Sequence, residues 1–271
     1  MDKEIDQISQ LLFDENASIR QQAAKFVLSH LSSQTKGKKN KKKKDALNLE
    51  DILSFMEKYS EEIPNVALYV VDNFYDLTSV LSDWEEMANY LEENSDYDDC
   101  SNVICLLNAS VKKLSGKLAT STSTDDKVKV KFKKVKKEDE EKQLEEMSSI
   151  LCPILPKLLE KFQSDKVDEL LELPQYFDLS VYVDNQIQSD FTDLLKIMKE
   201  IFWKQTDESV FYHVAKSLGS FLKDDKFVLR SEVETFYNEM IREMITRFKN
   251  TVKSIQEVNL KKIIIHLLFF S

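Results

Sequence analysis

The amino-acid sequence predicts an all-α protein. The chain has only three glycines and four prolines among its 271 residues, whereas a β-rich protein needs Gly, Asn and Pro at its many turns. Leu, Lys, Glu, Ile and Met are plentiful, and all of them suit helices. Apolar residues also recur three and four positions apart along almost the whole chain, which is the period of an amphipathic helix.

The first part of the chain is predicted to form six helices. Their approximate positions are 3–13, 16–33, 47–60, 63–77, 79–93 and 98–118. Asp14 and Asn48 stand just before two of these helices. We expect both to be N-caps, because a short side-chain oxygen can accept a hydrogen bond from an unpaired amide of the first turn.

The second part is predicted to form further helices with short polar links. Pro153 and Pro156 should break or kink the segment 138–163, because proline lacks an N–H group and its ring clashes with the preceding turn. Pro174 starts or interrupts another element. Three helices of about 16–22 residues follow, and Asp207 is the expected N-cap of the second. The apolar face of the third comprises Val233, Phe236, Tyr237, Met240, Ile241, Met244, Ile245 and Phe248.

Roughly twelve helices in a row, mostly as hairpins, predict a HEAT-like α-solenoid of antiparallel helix pairs with two disordered lysine-rich loops. A compact bundle is the competing architecture. The predicted organisation is an N-terminal helix pair (1–33), a basic loop (34–46), helical repeats (47–118), a second basic loop (119–137) and further repeats (138–271), the last incomplete. The apolar stretch from Ile263 to Phe270 predicts that the last helix has lost its partner and that the sequence is a fragment.

Two lysine tracts stand out in an otherwise acidic chain. Residues 36–44 and 127–137 carry seven lysines each and no acid, so the rest of the chain has 24 basic against 48 acidic groups. Like-charge repulsion and low apolar content predict disorder in both segments. The second tract alternates Lys with apolar residues, but a lone strand is not favoured, because no partner strand is visible.

The lysine tracts have three possible roles: a solvated linker, a nuclear localisation signal, and contact with a nucleic-acid backbone. Sequence-specific recognition is not predicted, because Phe132 is the only ring beside the lysines and no side-chain array reads base edges. The candidate DNA-binding or localisation residues are Lys36, Lys38, Lys39, Lys41, Lys42, Lys43, Lys44, Lys127, Lys129, Lys131, Lys133, Lys134, Lys136 and Lys137.

The sequence does not predict an enzyme, a cofactor or a metal site. His30, His213 and His266 fall on three distant helices, and no short ligand motif is present. Three cysteines, Cys100, Cys105 and Cys152, are too few for a disulfide framework and fit a reducing compartment. No apolar run approaches the ~18 residues of a membrane span.

Several stretches resemble the stromal-antigen (stromalin) subunits of cohesin. The most specific are LLELPQYFDLSVY at 170–182 and VLSDWEEM at 80–87, the latter preceded by VALYVVDNFYDL at 66–77. The segments VICLLNASVKKL (103–114), LPKLLEKF (155–162), DLLKIMKEI (193–201) and DESVFYHVAKSL (207–218) are also similar and follow in the same order. The second lysine tract falls where that family has a basic loop. The resemblance runs from about residue 46 to the C-terminus.

This resemblance implies a HEAT-repeat hook that binds the kleisin subunit of cohesin, contacts DNA without sequence specificity, and serves sister-chromatid cohesion in the nucleus with other cohesin and chromatin factors. The alternative is another nuclear helical-repeat scaffold, such as a nuclear-transport receptor. Trp84, Tyr176 and Phe177 are candidate partner-binding residues. Core packing is favoured for Trp84, and Tyr176 and Phe177 are expected to pack one helix pair on the next.

Overall fold

The structure is a computed structural model that describes residues 2–34, 47–118, 137–164 and 166–270. Side chains are described for 4–33, 47–118, 139–164 and 166–256. Both lysine-rich loops predicted from the sequence fall almost entirely outside these ranges.

The described residues form α-helices and short 3-10 turns and contain no β-strand, which confirms the all-α prediction. The helices are α1 (Asp2–Gln10), α2 (Ala17–Gln34), α3 (Leu49–Ser60), α4 (Val66–Phe74), α5 (Trp84–Glu93), α6 (Tyr97–Leu114), α7 (Lys137–Lys161), α8 (Val167–Glu172), α9 (Val181–Asp184), α10 (Gln188–Lys204), α11 (Glu208–Lys223) and α12 (Arg230–Phe270). The 3-10 turns are Leu11–Phe13, Val80–Ser82 and Leu173–Tyr176.

The chain divides into two compact units, residues 1–217 and 218–271. In the first unit, consecutive helices pack as pairs: α1 on α2, α3 on α4, and α5 on α6. Each pair also contacts the next, because α2 packs on α4, α4 on α6, and α5 on α7. This succession of pairs is the arrangement expected of helical repeats. Its core is apolar, and the largest fully buried side chains include Phe74, Tyr182 and Phe191.

The second unit contains the end of α11 and the whole of α12. Its buried apolar residues are Leu218, Phe221, Phe227, Leu229, Val233 and Met240. The prediction that the last helices would each be about 16–22 residues long holds for α10 and α11 but is wrong for α12, which has 41 residues. No glycine or proline interrupts α12, so nothing in its local sequence stops the helix.

Two of the three predicted N-caps are confirmed. The side chain of Asn48 accepts a hydrogen bond from the amide of Asp51, whose side chain in turn accepts from the amide of Asn48. Asp207 accepts from the amide of Ser209 at 2.8 Å. The prediction for Asp14 is wrong, because α2 begins at Ala17 and the residue before it, Asn16, accepts from the amide of Ser18.

The prolines do not break α7. The helix continues from Lys137 to Lys161 through Pro153 and Pro156. Each proline removes one helical hydrogen bond, but Leu151, Leu155, Leu158 and Leu159 around the two prolines are buried. The helix packs against α5 and α10, so tertiary packing offsets the local penalty.

Candidate functional site

The structure places few of the predicted nucleic-acid-binding lysines. Thirteen of the fourteen fall outside the described residues, and Lys137 is the first residue of α7, with its side chain also outside them. The assignment of these lysines to DNA contact or nuclear localisation therefore remains a prediction from the sequence.

Trp84 lies in the hydrophobic core. It is the first residue of α5 and is 3 % exposed. Its neighbours on the same helix face, Met87 and Leu91, are fully buried. A side chain this deep cannot reach a partner unless the helix moves, so its burial agrees with the core-packing alternative.

The LPQYF segment forms a tight corner between α8 and α9. Leu173–Tyr176 is a 3-10 turn, with Leu173 and Pro174 buried. Phe177 is 8 % exposed and Tyr176 is half-buried. The hydroxyl of Tyr176 donates to the Glu172 carboxylate at 3.0 Å, which fixes the ring against the corner.

Glu172 is the centre of a polar network that ties this corner to α6. Its carboxylate lies 2.6 Å from the ammonium group of Lys112 and 3.3 Å from the side-chain amide of Asn108. Asn108, which is buried, also donates to the carbonyl of Glu169 at 2.7 Å. Burial alone would raise the pKa of Glu172, but the hydrogen bond and charge of Lys112, with Asn108 and Tyr176, outweigh it and hold that pKa below its ordinary value.

A second charged network joins α2, α4 and α6. The Asp72 carboxylate lies 3.2 Å from the guanidinium of Arg20 and 2.9 Å from the ammonium group of Lys113. Arg20 is 5 % exposed and also donates to the carbonyls of Asp14 and Glu15. These contacts link three helices from successive pairs, so the network fixes how the pairs stack.

The acidic stretch around 92–99 is the turn between α5 and α6. Asp96 caps α6 by accepting from the amides of Asp98 and Asp99. The ammonium group of Lys161 donates to the carbonyls of Leu91 and Asn94 at 2.7 and 2.6 Å. A cation on the last carbonyls of α5 satisfies groups that have no helical donor and interacts favourably with the helix dipole.

The described residues contain no group of three or more His, Cys, Asp or Glu side chains that could hold a metal ion. None of the three cysteines is in a disulfide; Cys100 and Cys152 are buried and Cys105 is half-buried. Burial raises the pKa of Cys152 to about 12 and also raises the pKa of Cys100, which disfavours the reactive thiolate. Among the described residues, none of the helices combines the length and the apolar character that a membrane span requires.

Two exposed apolar surfaces were not predicted from the sequence. The first is a groove of about 480 Å³ between α1 and α2, where Leu11 and Phe26 are 42 % and 53 % exposed. The second lies along α12, where the predicted apolar face is buried at Val233 and Met240 but exposed at Tyr237, Met244, Ile245 and Phe248. The apolar spacing in the sequence predicts the apolar face of the last helix, but spacing alone does not tell whether a neighbouring element covers it.

Comparison with known proteins gives the family. The sequence model of the HEAT-repeats domain of the cohesin subunit SCC3/SA matches residues 69–266, which is well over half of the chain. The protein belongs to the cohesin SCC3/SA family. The resemblance drawn from the LPQYFDL and DWE segments is thereby confirmed, and the helix pairs of the SCC3/SA chain are HEAT repeats, as predicted.

The relatives of this SCC3/SA chain are distant in sequence. It is 28 % identical over 211 residues to cohesin subunit SA-3 of Mus musculus and 25 % identical over 215 residues to cohesin subunit SA-1 of Xenopus laevis. Both matches cover 75 % of this chain and 16 % of the relative. Cohesin subunit scc-3 of Caenorhabditis elegans is 27 % identical over 157 residues, 55 % of this chain and 14 % of that protein. The SCC3/SA chain thus spans about one sixth of the length of its curated relatives.

Proposed function

We propose that this chain is a non-enzymatic scaffold segment of a cohesin subunit that binds the kleisin subunit of cohesin and DNA, and so serves sister-chromatid cohesion and chromosome segregation in the nucleus. One observation carries the proposal: the SCC3/SA match over residues 69–266. The named relatives are cohesin subunits. Membership of this family favours the cohesin role over that of a nuclear-transport receptor.

Stacked helix pairs suit an extended partner. A kleisin segment that is disordered when free must lose conformational entropy as it binds, so it needs a long interface to offset that loss. Successive helix pairs supply such a surface, and buried ion networks such as that of Asp72 hold the pairs in a fixed order. Outside the lysine tracts the chain has a formal charge of −24, which favours kleisin segments that carry basic residues.

The lysine tracts support the DNA part of the proposal. Each lysine that contacts a phosphate releases a condensed counterion, so binding is strong at low salt and carries little sequence preference. The acidic remainder of the chain repels the same polyanion. DNA contact is therefore expected to be confined to residues 36–44 and 127–137.

A kleisin fragment tests the protein-binding part. The purified 271-residue chain should retain a kleisin fragment in a pull-down, and titration calorimetry should give a saturable one-to-one isotherm with a negative heat-capacity change from apolar burial. An unrelated disordered peptide of equal length and charge is the control. Equal retention of that peptide would show that the interaction is non-specific electrostatic attraction and would refute specific kleisin binding.

A salt series tests the DNA part. One variant replaces all fourteen tract lysines with Ala and a matched variant replaces them with Arg, which keeps the charge. The slope of log K against log salt concentration should fall by about 0.9 for every lysine that contacts a phosphate in the Ala variant. The Arg variant should keep the slope of the natural chain. An unchanged slope in the Ala variant would assign DNA contact elsewhere.

A further inference from the structure

The proposed cohesin role does not explain the exposed apolar stripe of α12. Six large apolar side chains between residues 237 and 255 are each at least 36 % exposed: Tyr237, Met244, Ile245, Phe248, Val252 and Ile255. Together they expose on the order of 500 Å², which reaches the size of the largest patch on a typical monomer, often a functional one. Phe248, at the centre of the stripe, is 69 % exposed.

The spacing of the stripe matches helix-to-helix packing. Tyr237, Ile241, Met244 and Phe248 are separated by four, three and four residues, and Ile255 continues the pattern after seven more. Alternation of three and four places the side chains in a narrow seam along one side of the helix. Such a seam inserts side chains between those of a facing helix.

Cations line both borders of this seam. Arg242 and Lys249 lie two turns apart on one border, each within three or four residues of Ile245, which makes them its neighbours on the helix surface. Arg247 lies on the other border beside Met244 and pairs with Glu243 at 2.7 Å. Glu239 and Glu243 lie further round the helix, away from the seam.

This charge pattern disfavours a second copy of the same helix. In an antiparallel pair, like borders meet, so Arg242 of one copy would face Lys249 of the other. In a parallel pair, opposite borders meet, and Arg242 and Lys249 of one copy would face Arg247 of the other. Both arrangements bring cations together beside an apolar seam, which is destabilising.

We propose that the α12 seam is a docking site for an acidic amphipathic helix of a partner protein, with apolar residues facing Met244, Ile245 and Phe248 and carboxylates facing Arg242, Arg247 and Lys249. The apolar residues supply the driving force, and the borders select the sign of the partner's charge. This site is proposed to bind an acidic partner, whereas the acidic surface proposed for kleisin favours basic segments. The two proposals are independent, so failure of one does not refute the other.

Two designed peptides test the site. Both are 21-residue helices with Leu at the seam positions; one carries Glu at the bordering positions and its twin carries Lys. Each is labelled and titrated with the full 271-residue chain, and binding is followed by fluorescence anisotropy. We expect the Glu peptide to bind at least about tenfold more tightly than the Lys peptide.

Three variants separate the contributions. Phe248→Ser should weaken binding of the Glu peptide by about tenfold or more, with the far-UV circular dichroism unchanged because the side chain is exposed; Ile255→Ser is the second variant if the first does not fold. Arg242→Glu together with Lys249→Glu should reverse the preference toward the Lys peptide. Asn250→Glu, on the side of α12 opposite the seam, is the control and should leave the preference in place.

Four results would overturn the proposal. The first is equal binding of the two peptides, and the second is binding of the Glu peptide by the seam variants as tight as that of the natural chain. Sedimentation equilibrium could instead show a dimer that Phe248→Ser dissociates, which would make a second copy the occupant. Binding to vesicles of phosphatidylserine and phosphatidylcholine that is lost in Phe248→Ser, without peptide binding, would make the seam a lipid-surface site.

Discussion

Asp72→Asn is predicted to destabilise the first unit of the protein strongly. The substitution keeps the size of the side chain but removes the charge that lies between Arg20 and Lys113. Arg20 is 5 % exposed, and its other hydrogen-bond acceptors among the described residues are the carbonyls of Asp14 and Glu15. The buried guanidinium would therefore lose its only compensating carboxylate in the described contacts.

The expected cost is about 3 kcal/mol. Removal of one partner from a buried ion pair costs roughly 3–5 kcal/mol, because the other charge stays buried and uncompensated. Two features place this case at the lower end. The side chains of Asp72 and Lys113 are 23 % and 15 % exposed, so water can reach them, and the amide oxygen of Asn can still accept one hydrogen bond.

Tryptophan fluorescence during urea unfolding measures this effect in the relevant unit. Both tryptophans, Trp84 and Trp203, lie in residues 1–217, so their emission reports unfolding of the first unit alone. The midpoint should fall while the slope of free energy against urea stays the same. The control is Asp76→Asn, which changes an exposed carboxylate just after α4, the helix that carries Asp72. It should change the free energy of unfolding by less than about 0.5 kcal/mol.

A double-mutant cycle tests the reasoning further. If Asp72 stabilises Lys113, then Asp72→Asn combined with Lys113→Met should cost less than the two single changes added together. A loss below about 1 kcal/mol for Asp72→Asn, or strict additivity in the cycle, would refute the view that this buried network holds the helix pairs together.

Three further predictions concern local structure. Glu172→Gln should destabilise the chain at neutral pH. Because folding lowers the pKa of Glu172, the loss in free energy of unfolding should be full above the ordinary pKa of 4.5 and should shrink as the pH falls through the lowered pKa. A loss that does not change with pH in urea titrations would contradict this prediction. Lys161→Met should cost about 1 kcal/mol and speed amide exchange at the end of α5, because Lys161 donates to its last carbonyls. Gly116→Ala should lower stability by about 1 kcal/mol in thermal circular dichroism, because Gly116 has φ +65°, whereas Gly219→Ala, inside α11, should raise it by a similar amount.

Family membership could be predicted from short segments, but the environment of their residues could not. The LPQYFDL and DWE stretches carry the resemblance that the SCC3/SA match confirms. Nothing in those letters shows that Trp84 is buried or that Tyr176 donates to Glu172. Those facts depend on which helices pack over each segment.

Local sequence determined the helical class, most helix positions and the caps at Asn48 and Asp207, because helical hydrogen bonds and capping bonds join residues only a few positions apart. Tertiary structure decided the rest. Packing against α5 and α10 offsets the cost of Pro153 and Pro156 inside α7, and Lys161 reaches carbonyls nearly 70 residues away. The seam of α12 has the same apolar period as a buried helix face, and only the three-dimensional arrangement shows it exposed, because a period identifies the apolar side of a helix but not what covers it.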